Sequence, residues 1–360
     1  MDILPQKRAE VSGTVGLFQN RNIEKEQVFT PALIQKNIYR YNEICELMKE
    51  ENNMHYNGPV VRPYTDANSI ILEVTVGCTH NSCTFCNFYK DCSFQIASLQ
   101  QIEEDLKEVN QYQKNATEVW ASGGNPYALS TEKLAQLAKL IRKYLPKARI
   151  STYARVDDLL RKSVEDMKYL KKLGIEDLVI GIESGYDPAL SHVNKGYSAS
   201  DILEGCKRLE KAGVTYRVIY LGGIAGSGKG DEAAMATAKL LNQLHPYYMF
   251  MTTVAVMPDT KLYDEVQAGE FKEASELERI REFRTLLSSM NNEIVVDSRS
   301  VANMIPFVAE MPRDKDKIVQ KLDDMIDRFS QGDEESLRAR RSESILFKEE
   351  KLICIIMDQL

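Results

Sequence analysis

The chain has 360 residues, 43% of them apolar, enough for one large α/β domain with extensions. Its formal charge of −7 weighs against a nucleic-acid partner, whose phosphates need a basic face. Residues 1–8 hold no apolar signal core, and no stretch approaches the roughly 18 apolar residues of a membrane span. A basic cluster at 338–341 is ringed by Asp333, Glu334, Glu335 and Glu343 and reads as a solvated helix face. The seven cysteines form no secreted disulfide framework, so a reducing cytoplasm is expected.

Residues 1–66 read as an N-terminal extension. Apolar residues recur at helical spacing over 31–48, and Gly58, Pro59 and Pro63 then break the pattern. From residue 68 a regular alternation begins. Strands are expected at 70–76, 118–122, 149–154, 178–182, 215–221 and 248–256. Helices fall between them. One starts at Ser98, with Gln101 completing a capping box. One carries Leu134, Leu137, Ala138 and Ile141 on one face, and one ends at Gly174 with Lys171 and Lys172 in its last turn. Two more cover 200–213 and 231–244. Six βα units with near-continuous apolar strands imply a parallel sheet covered by helices, either doubly wound or closed toward a barrel. After Pro258 two charged amphipathic helices, 272–290 and 314–330, flank an apolar run at 293–297, and 352–357 forms a last strand or packed helix. The expected division is 1–66, a core at 67–260, and a mainly helical region at 261–360.

The chemistry centres on Cys78, Cys83 and Cys86, in a loop directly after the first strand. Three close thiolates hold a soft metal centre, and an iron–sulfur cube bound by three cysteines keeps one iron open. A zinc knuckle that recruits His80 from the same loop, or inert thiols, fit these residues as well. Cys45, Cys92, Cys206 and Cys354 are scattered and read as packing or surface thiols, which leaves no auxiliary cluster.

The cysteine loop resembles that of the radical S-adenosylmethionine (SAM) superfamily. The usual spacing is C-x3-C-x2-C with an aromatic before the last cysteine; here it is C-x4-C-x2-C, with Phe85 before Cys86. The resemblance covers roughly residues 68–260 and implies a partial (β/α)6 TIM-like barrel, with chemistry at the C-terminal ends of the strands. It implies a [4Fe-4S] cluster on Cys78, Cys83 and Cys86, with SAM on the fourth iron. Gly123, Gly124 and Asn125 stand where the superfamily has a Gly-Gly-Glu motif that holds the methionyl amino group, with Asn125 in place of Glu. Glu183, Lys195 and Arg217 resemble ribose- and carboxylate-binding positions of the oxygen-independent coproporphyrinogen oxidase and methylthiotransferase branch. That branch often has Arg where Lys195 stands, so a bidentate contact is lost. The implied activity is reductive cleavage of SAM to a 5′-deoxyadenosyl radical that abstracts hydrogen from an unidentified substrate. It calls for an external reductant such as a flavodoxin or ferredoxin. No catalytic residue beyond the cluster ligands is assigned.

Two other readings remain. Residues 223–229 fit the phosphate-loop spacing G-x4-G-K and end on Lys229, but Gly230 stands where Ser or Thr would bind magnesium. An NTP-binding protein with a structural zinc site follows from that reading; in the SAM reading the same glycines let backbone approach the adenine. The other keeps the cluster without turnover, as a haem carrier of the same branch. His55, His80, His192 and His245 are widely spread and form no haem-ligand pattern.

Overall fold

The computed structural model describes residues 54–338, apart from 301, 331, 333, 335 and 336. The helical pattern at 31–48, the apolar tail at 352–357, Cys45 and Cys354 lie outside the described residues.

The chain enters its sheet at β1 (Ile70–Glu73) and continues as β2 (Thr75–Val76), which pairs antiparallel with β3 (Gln95–Ile96). The single strand expected at 70–76 divides at Val74, where pairing switches. The Val74 N–H still donates to Ser122 O, while its carbonyl accepts from Ala97 N. Next comes α1 (Leu99–Tyr112), capped by the Ser98 side chain, which accepts from Gln101 N in one half of the expected box. Then follow β4 (Glu118–Ser122), α2 (Thr131–Tyr144), β5 (Arg149–Ala154), α3 (Val156–Leu160) and α4 (Val164–Lys172). The alternation continues through β6 (Ile175–Glu183), α5 (Asp187–His192), α6 (Ala199–Ala212), β7 (Thr215–Gly222), α7 (Gly230–Leu241) and β8 (Tyr248–Thr253). β1, β4, β5, β6, β7 and β8 lie side by side, each parallel to its neighbour.

Beyond β8 come α8 (Lys261–Gln267), α9 (Glu276–Ser289), β9 (Ile294–Asp297), β10 (Val308–Met311) and α10 (Lys315–Phe329). The apolar run at 293–297 thus becomes a seventh parallel strand beside β8, and β10 adds antiparallel to it. The sheet has eight strands in the order β1-β4-β5-β6-β7-β8-β9-β10, with β1 and β10 as its two edges. It is a partial, TIM-like barrel left open between those edges.

Alternation along each strand separates two faces. Leu72, Val119, Ile150, Leu178, Ile180, Val218 and Met249 point outward into the helix-covered core. Trp120, Val179 and Phe250 point inward and form a second cluster with Tyr153, Ile219 and Tyr248. Both faces are therefore apolar, which is why the strands read as continuous hydrophobic runs. The segment ahead of β1 lines this inner face. Asn57 and Gly58 donate to Glu73, Trp120 Nε1 donates to Val61 O, and Tyr64 packs edge-on against Phe250.

Arg217 belongs to this lower part of the barrel. It is the third residue of β7, level with Val179 and Tyr248, whereas Glu183 is level with Tyr220 three residues on. Its guanidinium pairs with Asp177 at 2.6 Å and with both oxygens of Asp66. The resemblance placed Arg217 beside SAM; the structure instead spends it on two buried carboxylates. Breaking a buried pair by removing one partner costs about 3–5 kcal/mol. Arg217→Met is therefore expected to lower the denaturation midpoint strongly while the folded fraction keeps its iron and its affinity for SAM. Selective loss of SAM affinity with unchanged stability would return Arg217 to the binding site.

Candidate cluster and SAM site

Cys78, Cys83 and Cys86 are free thiols, each partly exposed, on the loop that leaves β2. Neighbouring segments hold that loop from several sides. Gly77 O accepts from Gly124 N (3.1 Å), Thr84 N donates to Val193 O (3.0 Å), and Thr84 O accepts from Leu262 N (2.9 Å). The residue that lengthens the first cysteine spacing is accommodated at 79–82, where Asn81 takes a left-handed φ of 41°. There His80 Nε2 donates to Asn194 O at 2.6 Å, and Asn194 Nδ2 donates to Ser82 O at 2.9 Å. The extra length thus docks the loop onto the segment just before Lys195. Burial raises the Cys83 thiol and carries Cys86 up to about 11, while Lys195 pulls both downward.

The turn after β4 packs onto the same loop. A Cβ on Gly123 would lie 2.0 Å from Thr75 Oγ1, and one on Gly124 would lie 2.5 Å from Gly77 O, so only glycines fit. Asn125 is fully buried. Its Oδ1 accepts from Thr79 N (3.0 Å), and its Nδ2 donates to Thr79 Oγ1 (2.7 Å) and Asp158 Oδ2 (2.9 Å). A Glu here would set a second carboxylate against Asp158, and like charges that close resist joint ionisation. An amide can donate to Asp158, which accounts for Asn in place of Glu.

Glu183 ends β6 at a register shift and with a φ of 58°, an unusual conformation for a residue with a side chain. Its Oε1 accepts from Lys195 Nζ at 2.6 Å, and both side chains are buried. Burial opposes the charge on Lys195, but Glu183 outweighs it and lifts the pKa above its usual range. The ammonium lies 5.9 Å from the centre of the Phe85 ring and 5.6 Å from that of Tyr197. Glu183, Lys195, Phe85, the three cysteines and the Gly123–Asn125 turn therefore meet at the C-terminal end of the strands, without Arg217. One residue there carried no signal in the sequence: Arg155, directly after β5, whose Nη2 donates to Lys195 O at 2.8 Å.

The stretch at 223–229 is occupied by carboxylates from α9. Gly223 N donates to Glu282 Oε2 (2.8 Å), Gly228 N donates to Glu278 Oε1 (2.7 Å), and the Ser227 hydroxyl donates to Glu278 as well. Lys229 pairs with Glu232 on the surface. A phosphate placed here would find these amides taken and would face two carboxylates, so the phosphate-loop reading loses its donors. Among the described residues no three His, Cys, Asp or Glu side chains converge on one metal ion. The donor set, three thiols on one loop with a buried cation facing them, fits a cluster with an open iron. Cys206 is buried in α6, and burial, followed by the charges of Asp91 and Glu73, raises the Cys92 thiol. No helix among the described residues is long and apolar enough to cross a membrane.

Residues 72–241, a little under half of the chain, match the Radical SAM superfamily. The chain is 24% identical over 266 residues to an uncharacterized protein of Methanocaldococcus jannaschii, a match covering 70% of this chain and 77% of that one. It is 26% identical over 228 residues to the heme chaperone HemW of Bacillus subtilis, covering 59% of this chain and 57% of the relative. Among solved structures it is similar to coproporphyrinogen III oxidase (HemN) from Escherichia coli, with 16% identity and a TM-score of 0.47, covering 61% of this chain and 51% of that one. The chain thus spans little more than half the length of HemW and HemN.

The close approach of Gly124 to the cysteine loop yields a test. Overpacking of this kind costs about 1–3 kcal/mol. Gly124→Ala is expected to displace Cys78 and reduce the iron bound per chain after anaerobic reconstitution, with the far-ultraviolet circular dichroism spectrum retained. Full iron uptake by the variant would show that the turn does not shape the loop.

Proposed function

We propose that this chain is a radical SAM enzyme that holds one [4Fe-4S] cluster through Cys78, Cys83 and Cys86 and binds SAM beside it. The observation that carries this reading is the buried Lys195–Glu183 pair against Phe85, which lies between two of the three cysteines. When bound, the cluster and SAM would supply reductive carbon–sulfur cleavage and a 5′-deoxyadenosyl radical able to abstract hydrogen from a substrate. The protein's part is to position and to exclude water. Lys195 offers a cation to the methionyl carboxylate, and Glu183 offers acceptors to the ribose hydroxyls. Backbone at Gly123 and Gly124 can meet the amino group, while Asn125 keeps the turn against the cluster loop. Phe85 and Tyr197 shield the charged pair. The substrate, a small molecule or another unidentified species, enters at the same end. An external donor such as a flavodoxin or ferredoxin supplies the electron, in a reducing compartment such as the cytoplasm.

Similarity to HemW favours a second reading, a cluster protein that carries haem without turnover. Each of the four histidines already has a protein partner: His55 with Asp105, His80 with Asn194, His192 with Glu265 and His245 with Glu210. The four are spread through the fold rather than gathered at the cluster end, and the buried Lys195–Glu183 pair there leads us to prefer the enzymatic reading.

Reconstituted protein is expected to hold about four irons per chain and, once reduced with dithionite, to release 5′-deoxyadenosine from SAM. Changing Cys78, Cys83 and Cys86 together to Ala should abolish both, whereas Ser at Cys45, Cys206 or Cys354 should leave iron unchanged. Glu183→Ala or Lys195→Ala should keep the cluster and weaken SAM binding roughly ten- to hundredfold, the worth of a charge-assisted contact of about 1.5–3 kcal/mol. Lys229→Ala should change neither. Stoichiometric zinc with no iron uptake would overturn the assignment, and stable SAM binding with no cleavage under any substrate would favour the carrier.

A further inference from the structure

Lys195 shares its charge with Glu183 at 2.6 Å, so the pair attracts an incoming carboxylate less than a free ammonium would. A second cation stands beside it. Arg155 caps α3 directly after β5 and is buried, with 7% of its surface exposed. Its Nε donates to Asp157 Oδ1 at 2.9 Å, its Nη2 donates to Lys195 O at 2.8 Å, and its guanidinium stacks over the Tyr197 ring at 5.1 Å. These contacts fix the plane of the fork and leave Nη1 without a hydrogen-bond partner among the described residues.

Several observations place that fork at the cluster end. A Cβ on Gly196 would touch both Arg155 Nη2 and the His80 ring of the cysteine loop. The Arg155 backbone N–H donates to Asp158 Oδ2, the same oxygen that receives Asn125 Nδ2. Arg155 therefore touches the Lys195 segment through its side chain and the Gly123–Asn125 turn through Asp158.

We infer that Arg155 is a cofactor-binding residue whose free Nη1 donates to the methionyl carboxylate of SAM, supplying from β5 the guanidinium that the Lys195 position lacks. The inference rests on the SAM-binding reading above. A planar fork held on three sides loses little freedom when it meets a carboxylate, and Arg is the side chain suited to that contact.

The test compares SAM with decarboxylated SAM, which lacks the carboxylate, as ligands of cluster-reconstituted protein in anaerobic isothermal titration. Arg155→Met should bind SAM roughly ten- to hundredfold more weakly while its affinity for decarboxylated SAM stays within about twofold of the wild type. Arg155→Lys, which keeps the charge and loses the fork, should fall between. Equal weakening toward both ligands, no weakening toward either, or iron loss in both variants would overturn the inference and make Arg155 a scaffold residue. Wild-type protein that holds its cluster and binds neither ligand would instead remove the SAM-binding reading itself.

Discussion

A buried ammonium beside a buried carboxylate sets the terms for the upper end of this barrel. Lys195 keeps its charge only because Glu183 lies 2.6 Å away, and an unpaired charge at that depth would be strongly unfavourable. The pair in turn needs its two chain segments held rigidly. Glu183 sits at a strained register shift where β6 ends, and Lys195 follows a segment clamped by the cysteine loop at Asn194 and by Arg155 at its own carbonyl. The cysteine loop docks on this segment at Asn194 and Arg155 at the Lys195 carbonyl, and the Gly123–Asn125 turn reaches it through Asp158 and Arg155.

The same solution recurs at the other end of the strands. Arg217 is also a buried cation on the inner face, and it too is held by carboxylates, Asp66 and Asp177. The two sites differ in what they leave open. The lower one is closed by the chain segment ahead of β1, which lines the inner face from Asn57 to Asp66. Among the described residues, the upper one keeps a guanidinium nitrogen without a partner and three thiols without disulfides. Closure below and openness above give the barrel its working end.

Much of this was legible in the residues. Six apolar runs marked the parallel strands because burial on both faces removes polar alternation. Glu183 and Lys195, twelve residues apart, were singled out as separate binding positions, and the structure brings them into contact. Arg217 was misplaced because motif spacing says which strand carries a residue but not at what height its inward side chain points. Arg155 was missed because a single basic residue after a strand carries no pattern. The run at 293–297 was too short to be told apart from a packed loop by period alone. The carboxylates that fill the Gly-rich loop come from Glu278 and Glu282, more than fifty residues away, and no local signal points to them.

The anchoring of the cysteine loop has a consequence for how the protein is made. The thiols lie early in the chain, yet their loop is completed late. Thr84 waits for Val193 and Leu262, and Asn87 donates to Pro258 O, 171 residues further on. During synthesis from the N-terminus, Cys78, Cys83 and Cys86 therefore leave the ribosome long before the residues that shape their loop. Throughout that interval they are open to oxidation and to capture by stray metal. Iron delivered after Leu262 has emerged would find the loop already shaped, and whatever it bound would then stabilise the folded barrel by mass action.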